Sequence, residues 1–275
     1  MRRLWALTVV AVLLTGCGSE PPPRPTGVDA TAGTIFAERL RVEVLETYPH
    51  DTQAFTQGLE LDDGLLYEGT GLEGWSELRA GPYETGELIR RVALPGQVFG
   101  EGITVVGDRV WQLTWQNGIA YQWDKTTFAP TGQAEYEGEG WGLCYDGTRL
   151  VMSDGSNELT FRDPETFEAT GSVAVTLDGS PLAMLNELEC VDDRVWANVW
   201  QTDEIVRIDP ATGVVEAIVD ASGLLTEQER ASADVLNGIA AVDDGTFLIT
   251  GKWWPHLFLV RFVPSEGASQ TPDAD

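Results

Sequence analysis

The 275-residue chain is poor in the side chains that build metal centres and nucleic-acid surfaces. Two His and three Cys, none at ligand spacing, cannot assemble a three-His or Cys-rich zinc centre without help from carboxylates. Seventeen Lys and Arg stand against 44 Asp and Glu, and the net charge of −27 repels the phosphate backbone of any nucleic-acid partner. The acidic surplus includes no Asp-x-Asp-x-Asp-Gly run that would cage calcium, so it reads as a solvated acidic face. The N-terminal apolar run, Leu4 to Leu14, is too short for a hydrocarbon core of ~30 Å. Apolar residues nevertheless make up 43% of the chain, enough for one large or two small globular domains and too much for a disordered one.

Arg2 and Arg3 followed by that short run read as a signal peptide over residues 1–16. Leu14-Thr15-Gly16-Cys17 resembles the lipobox of bacterial lipoproteins, which implies a lipid-modified Cys17 as the mature N-terminus; an ordinary secretion signal with a chance Cys is the alternative. Residues 17–34, with Pro21, Pro22, Pro23 and Pro25, read as an extended tether. Removing residues 1–16 leaves 15 basic against 44 acidic residues, a net charge of −29. An anionic lipid surface then repels the domain, and attachment rests on the lipid. The expectation is an exported, monomeric protein of the cell envelope, on the outer face of the membrane or in the periplasm.

A pattern of Gly-Leu or Gly-Ile, short strand, Asp/Gly turn and second strand recurs five times. It starts at Gln57-Gly58-Leu59, Glu101-Gly102-Ile103, Trp141-Gly142-Leu143, Asn186-Glu187-Leu188 and Asn237-Gly238-Ile239, at spacings of 44, 40, 45 and 51 residues. The turns are Asp62-Asp63-Gly64, Gly107-Asp108, Asp146-Gly147, Asp192-Asp193 and Asp243-Asp244-Gly245. Third strands follow, such as Glu158 to Arg162 and Glu204 to Ile208, and Asp163-Pro164 and Asp209-Pro210 turn the chain into outer strands. The last unit lacks an outer strand, whereas Leu40 to Tyr48 precedes the first unit unassigned. The economical arrangement is an all-β, five-bladed β-propeller over residues 35–264, closed by that N-terminal strand, with a helical insertion near Leu224 to Asp234 and a disordered tail at 265–275.

Inner strands of a propeller run side by side along a channel, so their opening residues share one end of it. That column reads Gln57, Glu101, Trp141, Asn186, Asn237, and the ends of the second strands read Gly71, Trp115, Gly155, Trp200, Lys252. Together they describe a cup with one carboxylate, amides, indole walls and one ammonium, a mixture suited to a small ligand. Alternatives stand beside this reading: Trp115, Trp141 and Trp200 as packing aromatics, Lys252 as a side chain reaching water, and Asn237 as a turn residue. Cys144 and Cys190 lie one register apart in neighbouring units, as a disulfide or as two buried thiols.

Seven segments in order carry a resemblance to a known family: Tyr48 to Leu59, Phe99 to Ile103, Gln112 to Trp115, Glu139 to Leu143, Asn186 to Glu189, Trp196 to Asp203, and Leu236 to Ile239 with Thr250 to Lys252. They resemble the plant- and bacterial-type glutaminyl-peptide cyclotransferases, five-bladed propellers unrelated to the zinc-dependent animal enzymes. The resemblance implies that Glu101 is the catalytic carboxylate and that Phe55, Gln57, Trp141, Asn186, Trp200 and Lys252 line the pocket; Trp115 joins them through its column. It further implies cyclisation of N-terminal glutamine on peptides or proteins, with ammonia released and no metal or cofactor. Trp75 and Ala80-Gly81-Pro82 depart from the family pattern, the latter in place of the usual strand, and bear on the lip that meets the second substrate residue. Burial by Trp141 and Trp200 would raise the Glu101 pKa and Lys252 would lower it, so its direction stays open. Two other readings are a non-catalytic binding propeller and a calcium-dependent lactonase-type hydrolase using Glu101, Asn186 and Asn237.

Overall fold

Short apolar runs punctuated by Asp/Gly turns favour hairpins, and the computed structural model, which describes residues 36–243 and 245–265, is built almost wholly of them. The predicted signal peptide, Cys17, the tether and residues 266–275 lie outside the described residues, as does Asp244 of the fifth turn.

Strand β1 (Glu38–Pro49) precedes an antiparallel sheet of β2 (Thr56–Asp62), β3 (Leu65–Thr70), β4 (Glu77–Gly81) and β5 (Arg90–Ala93). The next sheet holds β6 (Gly100–Val106), β7 (Arg109–Thr114), β8 (Ile119–Asp124) and β9 (Pro130–Glu135). A third holds β10 (Leu143–Tyr145), β11 (Leu150–Met152), β12 (Glu158–Arg162) and β13 (Ala169–Ala174), followed by a small hairpin of β14 (Thr176–Leu177) and β15 (Ser180–Pro181). Strands β16 (Leu185–Val191), β17 (Arg194–Val199), β18 (Glu204–Ile208) and β19 (Val215–Asp220) come next, then helix α1 (Glu227–Arg230) and strands β20 (Leu236–Ala241), β21 (Thr246–Gly251) and β22 (His256–Pro264).

Local chemistry accounts for the turns. Asp63 and Gly64 both sit at positive φ, 49° and 76°, as the tight connection between β2 and β3 requires. Asp163 Oδ1 accepts from the amides of Glu165 and Thr166, and Asp209 Oδ1 from that of Ala211, which bends the chain towards the outer strands. Middle strands such as β7 and β17 are buried almost throughout, whereas β9 and β13 are largely exposed. The sheets therefore stack face to face: Leu78, Ile103 and Trp123 share one core between the first two sheets, and Leu113, Leu143 and Phe167 another between the second and third.

The N-terminal strand closes the structure more thoroughly than expected. β1 pairs antiparallel with β22 from Leu40↔Pro264 to Pro49↔His256, and its first residues also pair in parallel with β19, from Glu38↔Ala217 to Arg41↔Asp220. One continuous eight-stranded sheet results, in the order β16-β17-β18-β19-β1-β22-β21-β20.

Two sequence expectations change, and one open alternative closes. The helix is shorter than Leu224 to Asp234: Thr226 caps it in a capping box with Glu229, but only Glu227–Arg230 is helical, because the Asp234 amide turns away to donate to the Lys252 carbonyl. Ala80-Gly81-Pro82 does not replace a strand, since β4 runs through Gly81 and ends where Pro82 has no amide to pair. Cys144 and Cys190 are joined as a disulfide, their Cα atoms 5.4 Å apart, tying β10 to β16.

Candidate active site

Four of the inner strands are disturbed where they open, whereas β10 pairs with β11 in unbroken register. The β2–β3 register shifts between Thr56 and Gly58, β6–β7 between Gly100 and Ile103, β16–β17 between Leu185 and Leu188, and β20–β21 between Leu236 and Ile239. A bulge re-aims side chains, and these bulges contain Gln57, Glu101, Asn186 and Asn237. Neighbouring inner strands approach closely here: a Cβ on Gly142 would stand 2.0 Å from the Asn186 carbonyl oxygen. Where the repeat has Glu187 in place of Gly, its buried carboxylate accepts from the Leu59 amide at 3.1 Å and the Ile239 amide at 2.8 Å, linking three inner strands.

The result is a cup of about 290 Å³ lined by Phe55, Gln57, Phe99, Glu101, Trp115, Trp141, Asn186, Trp200, Asp234 and Lys252. Glu101, its seven predicted companions and two unpredicted residues thus meet in one place. Gln57 donates through Nε2 to Glu101 Oε1 at 3.1 Å, and its Oε1 accepts from Asn237 Nδ2 at 3.2 Å. Asn237 also donates to the Thr56 carbonyl at 3.0 Å, which orients the whole relay; it supports the cup from behind rather than lining it. Buried Asn186 Oδ1 has no hydrogen-bond partner among the described residues. Trp141 meets Trp200 edge to face with centroids 5.4 Å apart, and Phe99 meets Phe55 and Trp115 likewise at 5.9 and 5.7 Å.

Lys252 is only 4% exposed, with Nζ 4.8 Å from the Phe55 ring centroid. Burial lowers its pKa, against the opposing pull of Glu101 and Asp234. The balance at Glu101 has a definite direction: burial pushes its carboxyl well above the ordinary range, Lys252 pulls it down, and Glu139 adds to the rise.

The second column divides by size. Trp115, Trp200 and Lys252 line the cup, but Gly71 and Gly155 instead leave room for Phe99 and Trp141. A Cβ on Gly155, whose φ is +82°, would stand 2.6 Å from Trp141 Cζ2. Gly155→Ala is therefore expected to destabilise the protein by about 1–3 kcal/mol and to displace the indole, as thermal unfolding and the substrate KM will register. Sequence reasoning missed Phe99, Asp234 and Glu139 as participants. Phe99 and Glu139 lie two residues before Glu101 and Trp141, the same-face spacing of an extended chain. Trp75, expected near the lip, is 81% exposed and does not line the cup.

An all-β scaffold that gathers one buried carboxylate, two amides and one ammonium inside an aromatic cup defines a protein with a pocket suited to a small ligand carrying polar groups. The chain belongs to the glutamine cyclotransferase family, described as "Glutamine cyclotransferase", whose pattern matches residues 15–262. It is 37% identical to the glutaminyl-peptide cyclotransferase of Arabidopsis thaliana over 278 residues, covering 98% of this chain and 87% of the plant protein. The crystal structure of Myxococcus xanthus glutaminyl cyclase is similar at a TM-score of 0.76 and 39% identity, covering 84% of this chain and 100% of that one. The protein is an enzyme of the glutaminyl-peptide cyclotransferase type.

Proposed function

We propose that the enzyme closes the N-terminal glutamine of peptides or proteins to pyroglutamate, with Glu101 moving the proton. The observation that carries this reading is the placement of Glu101, 4% exposed, as the buried carboxylate of the cup, hydrogen-bonded by Gln57. The α-nitrogen of the substrate attacks the Cδ of its own side-chain carboxamide. An N–Cδ bond forms, the bond from Cδ to the amide nitrogen breaks, and ammonia leaves. One proton passes from the α-nitrogen to the departing nitrogen, so one carboxylate serves first as base and then as acid. Because nucleophile and target belong to one residue, orientation in the cup supplies up to roughly 7–11 kcal/mol of the barrier reduction. Phe55 and the three indoles shape the folded side chain and exclude water. The open Oδ1 of Asn186 is an acceptor for a substrate N–H, and Lys252 faces the developing oxyanion.

The scaffold is read as a five-bladed β-propeller. In support, β2 lies beside β6, β6 beside β10, β10 beside β16, β16 beside β20, and β20 beside β2. Residues 1–16 are proposed as a cleaved leader and Cys17 as the lipid anchor of an exported enzyme; a mature N-terminal peptide carrying lipid on Cys17 would support this, and one beginning at Met1 would contradict it.

Incubating the protein with a short Gln-initiated peptide, with and without a chelator, tests the reaction and its metal independence. Mass spectrometry is expected to record loss of one ammonia in both samples, and an unreacted peptide leaves binding alone as the role. The pH profile gives a second check. As base, Glu101 must be ionised, so kcat/KM rises with pH through its elevated pKa. Lys252→Gln removes the cation that favours ionisation and is expected to move this acid limb to higher pH, as well as lowering kcat. An acid limb that stays in place or moves down would contradict the electrostatic pairing.

A further inference from the structure

The two indoles at the centre of the cup wall share an anchor behind them. Glu139 Oε2 accepts from Trp115 Nε1 at 2.8 Å and from Trp141 Nε1 at 3.0 Å, while Oε1 accepts from Gln116 Nε2 at 2.8 Å. Trp115 follows β7 and Trp141 precedes β10, so one carboxylate spans two neighbouring sheets. The adjacent Gly140 amide donates to the Trp115 carbonyl at 2.9 Å, which fixes the backbone beneath the clamp. An indole N–H can only donate, and an ionised acceptor makes its stronger bonds. The clamp also sits midway along the aromatic rim, with Phe99 packed on Trp115 and Trp200 on Trp141.

We propose that Glu139 is a positioning residue of the cyclisation reaction, pinning Trp115 and Trp141 against the substrate and setting a negative charge opposite Glu101. The inference rests on the reaction proposed above. Four titratable groups bear on Glu101 directly or through a neighbour. Lys252, after β21, favours its charged form, and Glu139 disfavours it. Asp234 acts on Lys252, and burial and then the Glu101 charge raise the pKa of the Tyr136 phenol, which donates to the Thr114 carbonyl. The Gln116 amide, followed by the two indoles, holds the Glu139 carboxyl below its usual range against partial burial, so its charge persists when Glu101 titrates. Glu139 thus has a geometric effect, on the walls, and an electrostatic one, on the acid.

Two variants separate these effects. In Glu139→Gln, the amide oxygen can receive both indoles and its NH2 can face Gln116, whose exposed amide can turn over to accept. The charge alone is lost, and the acid limb of kcat/KM is expected to shift to lower pH, opposite to Lys252→Gln. In Glu139→Ala both indoles lose their acceptor; KM for a Gln-initiated peptide is expected to rise roughly tenfold or more, with increased acrylamide quenching of indole emission. A Glu139→Gln profile superimposed on the wild-type one would overturn the inference, as would wild-type KM and quenching in Glu139→Ala. If Glu139→Ala does not fold, the Glu139→Gln profile decides. If the wild-type protein forms no pyroglutamate, the reaction itself is refuted and unchanged quenching in the folded variants would still refute the clamp.

Discussion

Glu101→Gln is expected to lower kcat for ammonia release from a Gln-initiated peptide by about 10²–10⁴-fold, the range that a well-placed general acid–base group contributes. The substitution keeps the size of the side chain and an oxygen that can still accept from Gln57 Nε2. Substrate binding, proposed above to rest on Phe55, the indoles and Asn186, should change far less. Under the proposed mechanism, what should disappear is the capacity to take a proton from the α-nitrogen and return it to the leaving group. The residual rate should also lose the acid limb assigned to Glu101. Steady-state ammonia release with parallel KM values checks this, and a variant cyclising at near wild-type rate would remove Glu101 from the reaction.

The second large effect is on stability. Glu68 lies buried beneath the segment that carries Phe55 and Gln57. Its Oε1 accepts from Thr56 Oγ1 at 2.6 Å and lies 3.2 Å from His50 Nε2; its Oε2 accepts from Arg79 Nε at 2.8 Å. Arg79 Nη1 extends the network to Asp51 at 2.9 Å, and His50 Nδ1 meets the Trp254 carbonyl at 2.8 Å. Burial opposes ionisation of Glu68, but Arg79 and His50 outweigh it and hold the carboxyl well below its usual range. Glu68→Ala leaves the guanidinium and imidazole buried without their partner and is expected to cost about 3–5 kcal/mol. For a chain of this size, that lowers Tm by on the order of 10 °C. A depressed folded-state pKa contributes stability above the unfolded-state value of about 4.3, and this is lost as pH falls through the folded value. Burial opposes protonation of His50, but Glu68 outweighs it and raises the His50 pKa, so this pair adds its share in full below the unfolded-state value of about 6.5. The gap between variant and wild type should therefore be widest in mildly acidic solution between these two unfolded-state values, persist at neutral pH through Arg79, and narrow in strong acid. Unfolding curves that coincide at neutral pH would make the network energetically idle.

The hairpins and the gathering of the cup residues were legible because both depend on local repetition. Asp and Gly place the turns, and equivalent strand openings then bring Gln57, Glu101, Trp141 and Asn186 to one rim. What escaped depends on distance between strands. Gly71 and Gly155 occupy the same column as Trp115, yet their part is steric and is set by how far Phe99 and Trp141 reach across from elsewhere. Glu139 resembles any surface acid of an acidic chain until two indole N–H groups are seen to converge on it. The direction of the Glu101 shift required the depth of burial to be weighed against Lys252, and composition holds no such measure. The disulfide needed two strands in contact, and register alone left its cysteines open to either state.

The seam at β1 orders the birth of the molecule. A nascent chain that has reached Asp220 can already lay Glu38–Arg41 along β19, but the rest of β1 has no mate until residues His256 to Pro264 emerge. Throughout that interval a long bare edge is available to any other strand nearby. The final docking spans almost the whole polypeptide, which makes it a slow, entropically demanding step. Shortening the C-terminus before His256 would thus yield chains that gather most of their sheets yet never seal, and that associate with one another through β1.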